Sequence, residues 1–306
     1  MMRLLASYVM RGRSQAVMAT TLLGVLSLLM APLSILSSAV VALVALRRGG
    51  REGLLVAVLA TLACALLALL SQGNLAPALG FFALLWLPAW FLGSLLRASR
   101  SLALALQGAL LLGVALIVAY YAQSADPVAE WRDLLEPFSQ RLVDSQLILE
   151  PQRAELVERL ALWMTGILAA VYQLQLMASL LLARWWQAML YNPGGFRQEF
   201  HGLRLHRLLA YGGLPVLLLA LLTEHDGAGQ VVDYAAMLLV TAFFVQGLAL
   251  VHGLVGKMGA NPGWLVAMYM LLFLAMPHMV ALLFIAGYAD AWFDFRARFR
   301  ARDRTG

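Results

Sequence analysis

Five polar side chains, Tyr172, Gln173, Gln175, Gln246 and His252, stand inside stretches otherwise free of charge. Amides, a phenol and an imidazole at membrane depth can donate and accept hydrogen bonds around a bound solute. Polar groups there are costly unless partnered, so these five are candidate ligand-binding residues. Gln173 and Gln175 lie two positions apart and point in different directions on a helix. The competing reading is interhelical hydrogen bonding, worth about 1 kcal/mol or less per bond. For His252, four residues before Gly256-Lys257, an interfacial place competes as well. Gln107, Tyr269, Trp86 and His278 extend the set.

Chemistry beyond binding has little to stand on. The chain has no His-Glu-x-x-His, no Gly-x-Ser-x-Gly, no nucleotide-binding loop and no carboxylate cluster for a metal. Its one cysteine, Cys64, sits in an apolar stretch and makes neither an internal disulfide nor a metal site. The expectation is a non-enzymatic protein with no cofactor and no metal.

Two further constellations lie outside the apolar stretches. The first is the loop 184–207, with Asn192, Pro193, Gly194, Gly195, Phe196 and Arg197 at its centre. Asn-Pro-Gly-Gly is a turn, because Pro fixes φ and Gly accepts positive φ. The loop reads as a partner-docking surface, or as a cradle offering backbone N–H groups to an anion. The second is the ending, with Asp290, Trp292, Asp294 and Arg296. On a continuous helix Asp290, Asp294 and Arg298 share a face with an Asp294–Arg298 pair, while Trp292, Phe293 and Phe295 anchor the exit at the lipid interface. It serves as a topological anchor or as a second docking surface.

The elements that position these residues follow from charge placement. All 38 Lys, Arg, Asp and Glu residues lie outside seven apolar stretches, 14–46, 53–96, 101–125, 160–183, 208–223, 234–256 and 258–289. Hydrophobic residues make up 62% of the chain and charged residues 12%, against about 25% charged in soluble domains. The fold class is therefore all-α, a polytopic transmembrane helix bundle in a lipid bilayer. It forms one integral membrane domain over 1–306, with about ten spans expected and nine or eight as alternatives. The net charge of +6 sits at span ends, where it orients the chain rather than binding nucleic acid. Ala31-Pro32 breaks the first stretch into two short helices. Pro277-His278 turns the last one, which brings the basic tail 290–306 to the cytoplasmic side.

Sorted by side, 18 of the 22 Lys and Arg residues fall inside and 4 outside. Both termini are then cytoplasmic. The apolar run after Arg3, Arg11 and Arg13 reads as a retained first helix, since no small-residue cleavage site precedes a polar start. The acidic turn Glu224-His225-Asp226 falls outside. So does segment 122–159, which holds an amphipathic helix capped by Asp126-Pro127, interrupted at Pro137, and a second helix from Glu150-Pro151 running on into the next span. The first of these lies along the interface or acts as a lid. The spans contain no Asp, Glu, Lys or Arg in this assignment, which weighs against a proton- or ion-driven pump.

The runs Leu190-Tyr191-Asn192-Pro193-Gly194-Gly195-Phe196-Arg197-Gln198-Glu199-Phe200 and Gly287-Tyr288-Ala289-Asp290-Ala291-Trp292-Phe293-Asp294-Phe295-Arg296 carry a family likeness. With the apolar pattern before them, they resemble the uncharacterised YybS-like family of bacterial polytopic membrane proteins. The start, with Arg47-Arg48-Gly49-Gly50-Arg51-Glu52-Gly53, is similar at fold level to two neighbouring groups. These are the substrate-binding components of energy-coupling-factor vitamin transporters and the rod-shape protein MreD, although the chain has more expected spans than the six usual for the former. The first likeness implies a transport-type protein that binds a small solute and works with an energising membrane partner. The second implies a scaffold in cell-envelope assembly.

Overall fold

The computed structural model describes residues 2–223 and 227–298, and every described element is helical. The turn Glu224-His225-Asp226 and the tail residues Arg300, Arg302 and Arg304 lie outside the described residues. The first half of the chain forms α1 (Met2–Val9), α2 (Arg13–Leu26), α3 (Leu33–Arg48), α4 (Gly50–Gln72) and α5 (Ala76–Gly80). A π-helical segment, Phe81–Trp86, joins α5 to α6 (Leu87–Ser99), and α7 (Leu102–Gln123) and α8 (Pro127–Asp144) follow. The second half contains α9 (Glu150–Tyr191), α10 (Gly195–His201), α11 (Arg207–Leu222), α12 (Gly227–Met258), α13 (Gly263–Leu274), α14 (Met276–Phe293) and α15 (Phe295–Arg298).

Among the described residues six helices are long and apolar enough to cross a membrane: Gly50–Gln72, Ala76–Ser99, Leu102–Gln123, Glu150–Tyr191, Gly229–Met258 and Met276–Phe293. Exposed apolar side chains such as Leu70, Leu111, Leu221 and Phe273 suit a lipid solvent. Six is fewer than the ten passes expected. The difference lies in α2, α3, α11 and α13, which have 14, 16, 16 and 12 residues. At about 1.5 Å per residue each is shorter than a hydrocarbon core of about 30 Å.

Two compact units divide the chain. One comprises Met1–Ala109, Leu174–His206 and Phe243–Gly306; the other comprises Leu110–Gln173 and Arg207–Ala242. In the first unit α3 is the central helix, with Ala39 to Leu46 all buried. Its small residues let neighbours approach to backbone distance, as is common between membrane helices. A Cβ on Gly93 would stand 2.7 Å from Ala42 O, and one on Gly53 2.7 Å from Ala45 Cβ. The expected break at Ala31-Pro32 is present, with residues 27–32 outside helix between α2 and α3. The π-helical segment has a local cause. Pro88 lacks an N–H and crowds the turn before it, and Leu87 N donates to Phe82 O, five residues back. The widened turn seats Trp86 fully buried, with its Nε1 donating to Ser37 Oγ at 2.9 Å.

The second unit carries the amphipathic segment. Asp126 caps α8 by accepting from Ala129 N at 3.0 Å, as expected. The expected interruption at Pro137 is corrected: α8 runs through it to Asp144, since an internal proline removes one hydrogen bond and can bend a helix without ending it. Arg132 holds Glu158 of α9 through two bonds of 2.9 Å, and Arg153 holds Glu136 at 2.5 Å. Helix α9 has 42 residues, about 63 Å, and exceeds a bilayer as its sequence predicts.

A basic cleft as the candidate functional site

The site begins with a close crossing of α12 and α14 in the first unit. A Cβ on Gly247 would lie 1.9 Å from Leu283 O, and one on Gly287 2.1 Å from Phe243 O, so only glycine fits at either position. Gln246, fully buried beside this crossing, ties three segments together. Its Oε1 accepts from Leu205 N at 2.8 Å, and its Nε2 donates to Gly287 O at 2.9 Å and to Asp290 Oδ2 at 3.4 Å. The loop 202–206 is thereby fixed against both helices.

Asp290 is fully buried. A lone buried carboxylate would be costly, and here Oδ1 accepts from Phe295 N at 3.1 Å while Oδ2 lies 3.5 Å from Arg296 Nη1 and 4.0 Å from Arg204 Nε. Arg204 also pairs with Asp294 at 2.6 Å. The expected continuous face through Asp290, Asp294 and Arg298 is corrected. Helix α14 stops at Phe293, Asp294 turns left-handed at φ 47°, and Arg298 Nε donates to Phe293 O. That turn brings Arg296 back toward the loop, where Nη1 donates to Leu203 O at 2.8 Å. Its Nε and Nη2 are buried without a hydrogen-bond partner.

Arg296 borders a cleft of about 610 Å³ that also takes in Arg197, His201, Gly253, Gly256 and Lys257. Gly253 and Gly256 stand one turn apart on α12 and leave its surface bare. A Cβ on Gly256 would meet the His201 ring at 2.8 Å and Arg197 Nη2 at 3.6 Å; one on Gly253 would meet Arg296 Nε at 3.3 Å. Lys257 Nζ donates to Arg296 O at 2.6 Å. A second cleft of about 390 Å³ shares Arg197, His201 and Gly256 and adds His252.

Burial pushes the His201 imidazole below its usual range, and Arg197, His252 and Arg296 push the same way. Burial also lowers Arg296, against the opposing pull of Asp290, yet a guanidinium stays charged at any physiological pH. Excess positive charge is thus built into the cleft. Helix α10, which supplies Arg197 and His201, is held by Arg184, whose Nε donates to Glu199 Oε2 at 2.8 Å and whose Nη2 completes a bidentate pair.

Of the sequence candidates, His252, Gly194, Arg197 and Arg296 border these two clefts. Because Leu248 O can only accept, His252 Nδ1 carries the proton it donates at 2.8 Å, and His252 Nε2 lies 3.3 Å from the Tyr269 hydroxyl. Gln246 and Asp290 stand behind the clefts as ties. Gly195 N donates to Asn192 O at 3.0 Å, so that N–H is taken up within the turn. Asn192 and Pro193 are exposed, Phe196 stacks on Phe200 with centroids 5.6 Å apart, and half-buried Trp292 faces Tyr288 at 6.3 Å. Tyr172 is half-buried, Gln173 Nε2 donates to Leu238 O at 3.2 Å, and Gln175 Nε2 is buried without a partner.

His201, Gly253, Gly256, Lys257 and Arg204 were not singled out by sequence. Their only signal is spacing: Arg197 and His201 at i, i+4, and Gly253, Gly256 and Lys257 at i, i+3, i+4. A larger cavity of about 800 Å³ on α2 and α4 is walled mainly by Val17, Met18, Leu22, Val25, Leu59 and Leu67. It presents the chemistry of lipid chains and is less informative than the smaller basic cleft. Among the described residues there is no group of three or more His, Cys, Asp or Glu that could hold a metal. Compared with protein-family models, curated proteins and solved structures, the chain matches none.

Proposed function

We propose that this is a multi-pass protein of the bacterial cytoplasmic membrane, non-enzymatic and of transport type, that binds a small solute in the basic cleft of α10, α12 and α15. Ten passes with both termini in the cytoplasm comprise the six long helices, the short apolar helices α11 and α13, and the α2–α3 pair, the four short ones requiring a locally thinned bilayer. The positive-inside bias of the charges supports that orientation, and the YybS-like resemblance suits a bacterial membrane. An energising membrane partner then supplies any driving force.

The observation that carries the reading is Arg296, a largely buried side chain that borders an open cleft and whose Nε and Nη2 lack acceptors. Buried donors left unmatched cost about 1–3 kcal/mol each, and a solute that supplies acceptors recovers that energy. The test is native mass spectrometry of the protein purified from its membrane in mild detergent. A retained small molecule, lost in Arg296→Gln, is expected. A clean apo mass, with no solute class raising the melting temperature, would sink the reading.

A second reading is a scaffold for envelope assembly, favoured by the outward turn at Tyr191, Asn192 and Pro193 beside the Arg184–Glu199 anchor. Crosslinking from position 192 that captures one specific envelope protein would favour it over solute binding.

A further inference from the structure

We propose that the solute of this cleft carries a phosphate group, bound through Arg197, Lys257 and Arg296. The inference rests on the cleft being the solute site and adds the chemical class of the occupant.

Sign comes first. Among the described residues, Arg197, Lys257 and Arg296 border the cleft, and no carboxylate does. The described acids on the same segments are already engaged: Asp290 with Arg296 and Arg204, Asp294 with Arg204, and Glu199 with Arg184. A cationic occupant is excluded by repulsion, and a neutral one leaves the field unbalanced.

Shape comes second. The donors come from three chain segments: Arg197 on α10, Lys257 on α12 and Arg296 on α15. A carboxylate offers two oxygens in one plane, which suits a single guanidinium fork. A phosphate group offers oxygens in three or four directions and meets several cations from different sides. Arg296 adds a fixed anchor at one wall, and two of its donors are unpaired. The bare surface at Gly253 and Gly256 lets the ring of His201 and the guanidinium of Arg197 lie against α12. The cleft has room for a phosphate and the group it is attached to.

The same chemistry is offered by a phospholipid headgroup and by a soluble phosphate compound, and the experiment separates them. The full-length protein is reconstituted in nanodiscs of phosphatidylcholine, and binding of inorganic phosphate is measured by calorimetry. Binding that weakens roughly tenfold in Lys257→Gln or Arg197→Gln, and about a hundredfold in the double variant, is the expected result, given the strength of charge-assisted bonds. Both side chains are exposed, so these variants remain informative if Arg296→Gln fails to fold. In nanodiscs containing phosphatidic acid, loss of phosphate binding together with a lipid adduct by native mass spectrometry identifies a headgroup as the occupant. Unchanged phosphate binding identifies a soluble compound. If citrate binds in a Lys257-dependent way and phosphate does not, the phosphate assignment falls while the solute site stands. If no anion binds, both fall.

Discussion

His201 is the residue in the cleft whose charge can change near neutral pH. Burial, with Arg197, His252 and Arg296 alongside, depresses its affinity for a proton, so it is neutral at pH 7, and Lys257 borders the same cleft. A depressed imidazole stabilises the folded state above the unfolded value of about 6.5; that stability is lost as pH falls through the folded value. An anion in the cleft reverses the balance, because it favours the protonated ring. Sulfate, whose charge is constant over this range, is therefore expected to bind more tightly as pH falls from 8 to 5.5, by about tenfold for one gained charge contact. In His201→Gln the slope should vanish. A pH-independent affinity in the native protein would exclude His201 from the site. Gln246 shows why a polar residue at membrane depth is ambiguous in sequence alone. It reads as a ligand contact, yet its amide bonds Leu205 N and Gly287 O and holds the cleft's frame. Asp290 is the converse, placed by sequence at a membrane exit and fully buried beside two guanidiniums.

At the scale of elements, the crossing of α12 over α14 decides whether the cleft exists. Gly287→Ala would place a methyl 2.1 Å from Phe243 O and 2.6 Å from Gly247 N, and backbone cannot move aside as a side chain can. A loss of about 3 kcal/mol or outright misfolding is expected, read as the unfolding midpoint in detergent. Gly212→Ala on α11 is the control, because nothing lies within 4 Å of the added methyl and alanine favours helix; it should be neutral or slightly stabilising. Equal effects from the two substitutions would contradict the crossing. Elements with a local cause were legible in the sequence: the α2–α3 break from Ala31-Pro32, the cap of α8 from Asp126-Pro127, and the length of α9 from Glu150-Pro151. The π-helical segment was not, since Pro88 alone fits a kink, a break or a widened turn. The stop at Phe293 was missed because helical spacing continues past it in sequence while the backbone turns left-handed at Asp294.

At the scale of the whole molecule, composition and charge-free runs made an all-helical membrane protein plain. The site was half-legible. Gly194, Arg197, His252 and Arg296 stood out by type, but the cleft is assembled from residues 194–202, 252–257 and 296, and nothing local announces that they meet. Arg184, Asp233 and Asp290 are buried charges that charge sorting places outside the membrane, because it treats every charge as a boundary. The position of the carboxy terminus tests the ten-pass arrangement. A phosphatase reporter fused after Gly306 should be inactive and a cytoplasmic reporter active; the opposite pattern would refute it.

Cys64, the chain's only cysteine, is 3% exposed in the wall of α4. Water-borne maleimides will pass it by, so the native chain is already blank to thiol labelling. Any cysteine introduced elsewhere becomes the sole readable mark. One at Asn192 can report sidedness and, through a fluorophore or spin label, whether α10 shifts when the cleft fills.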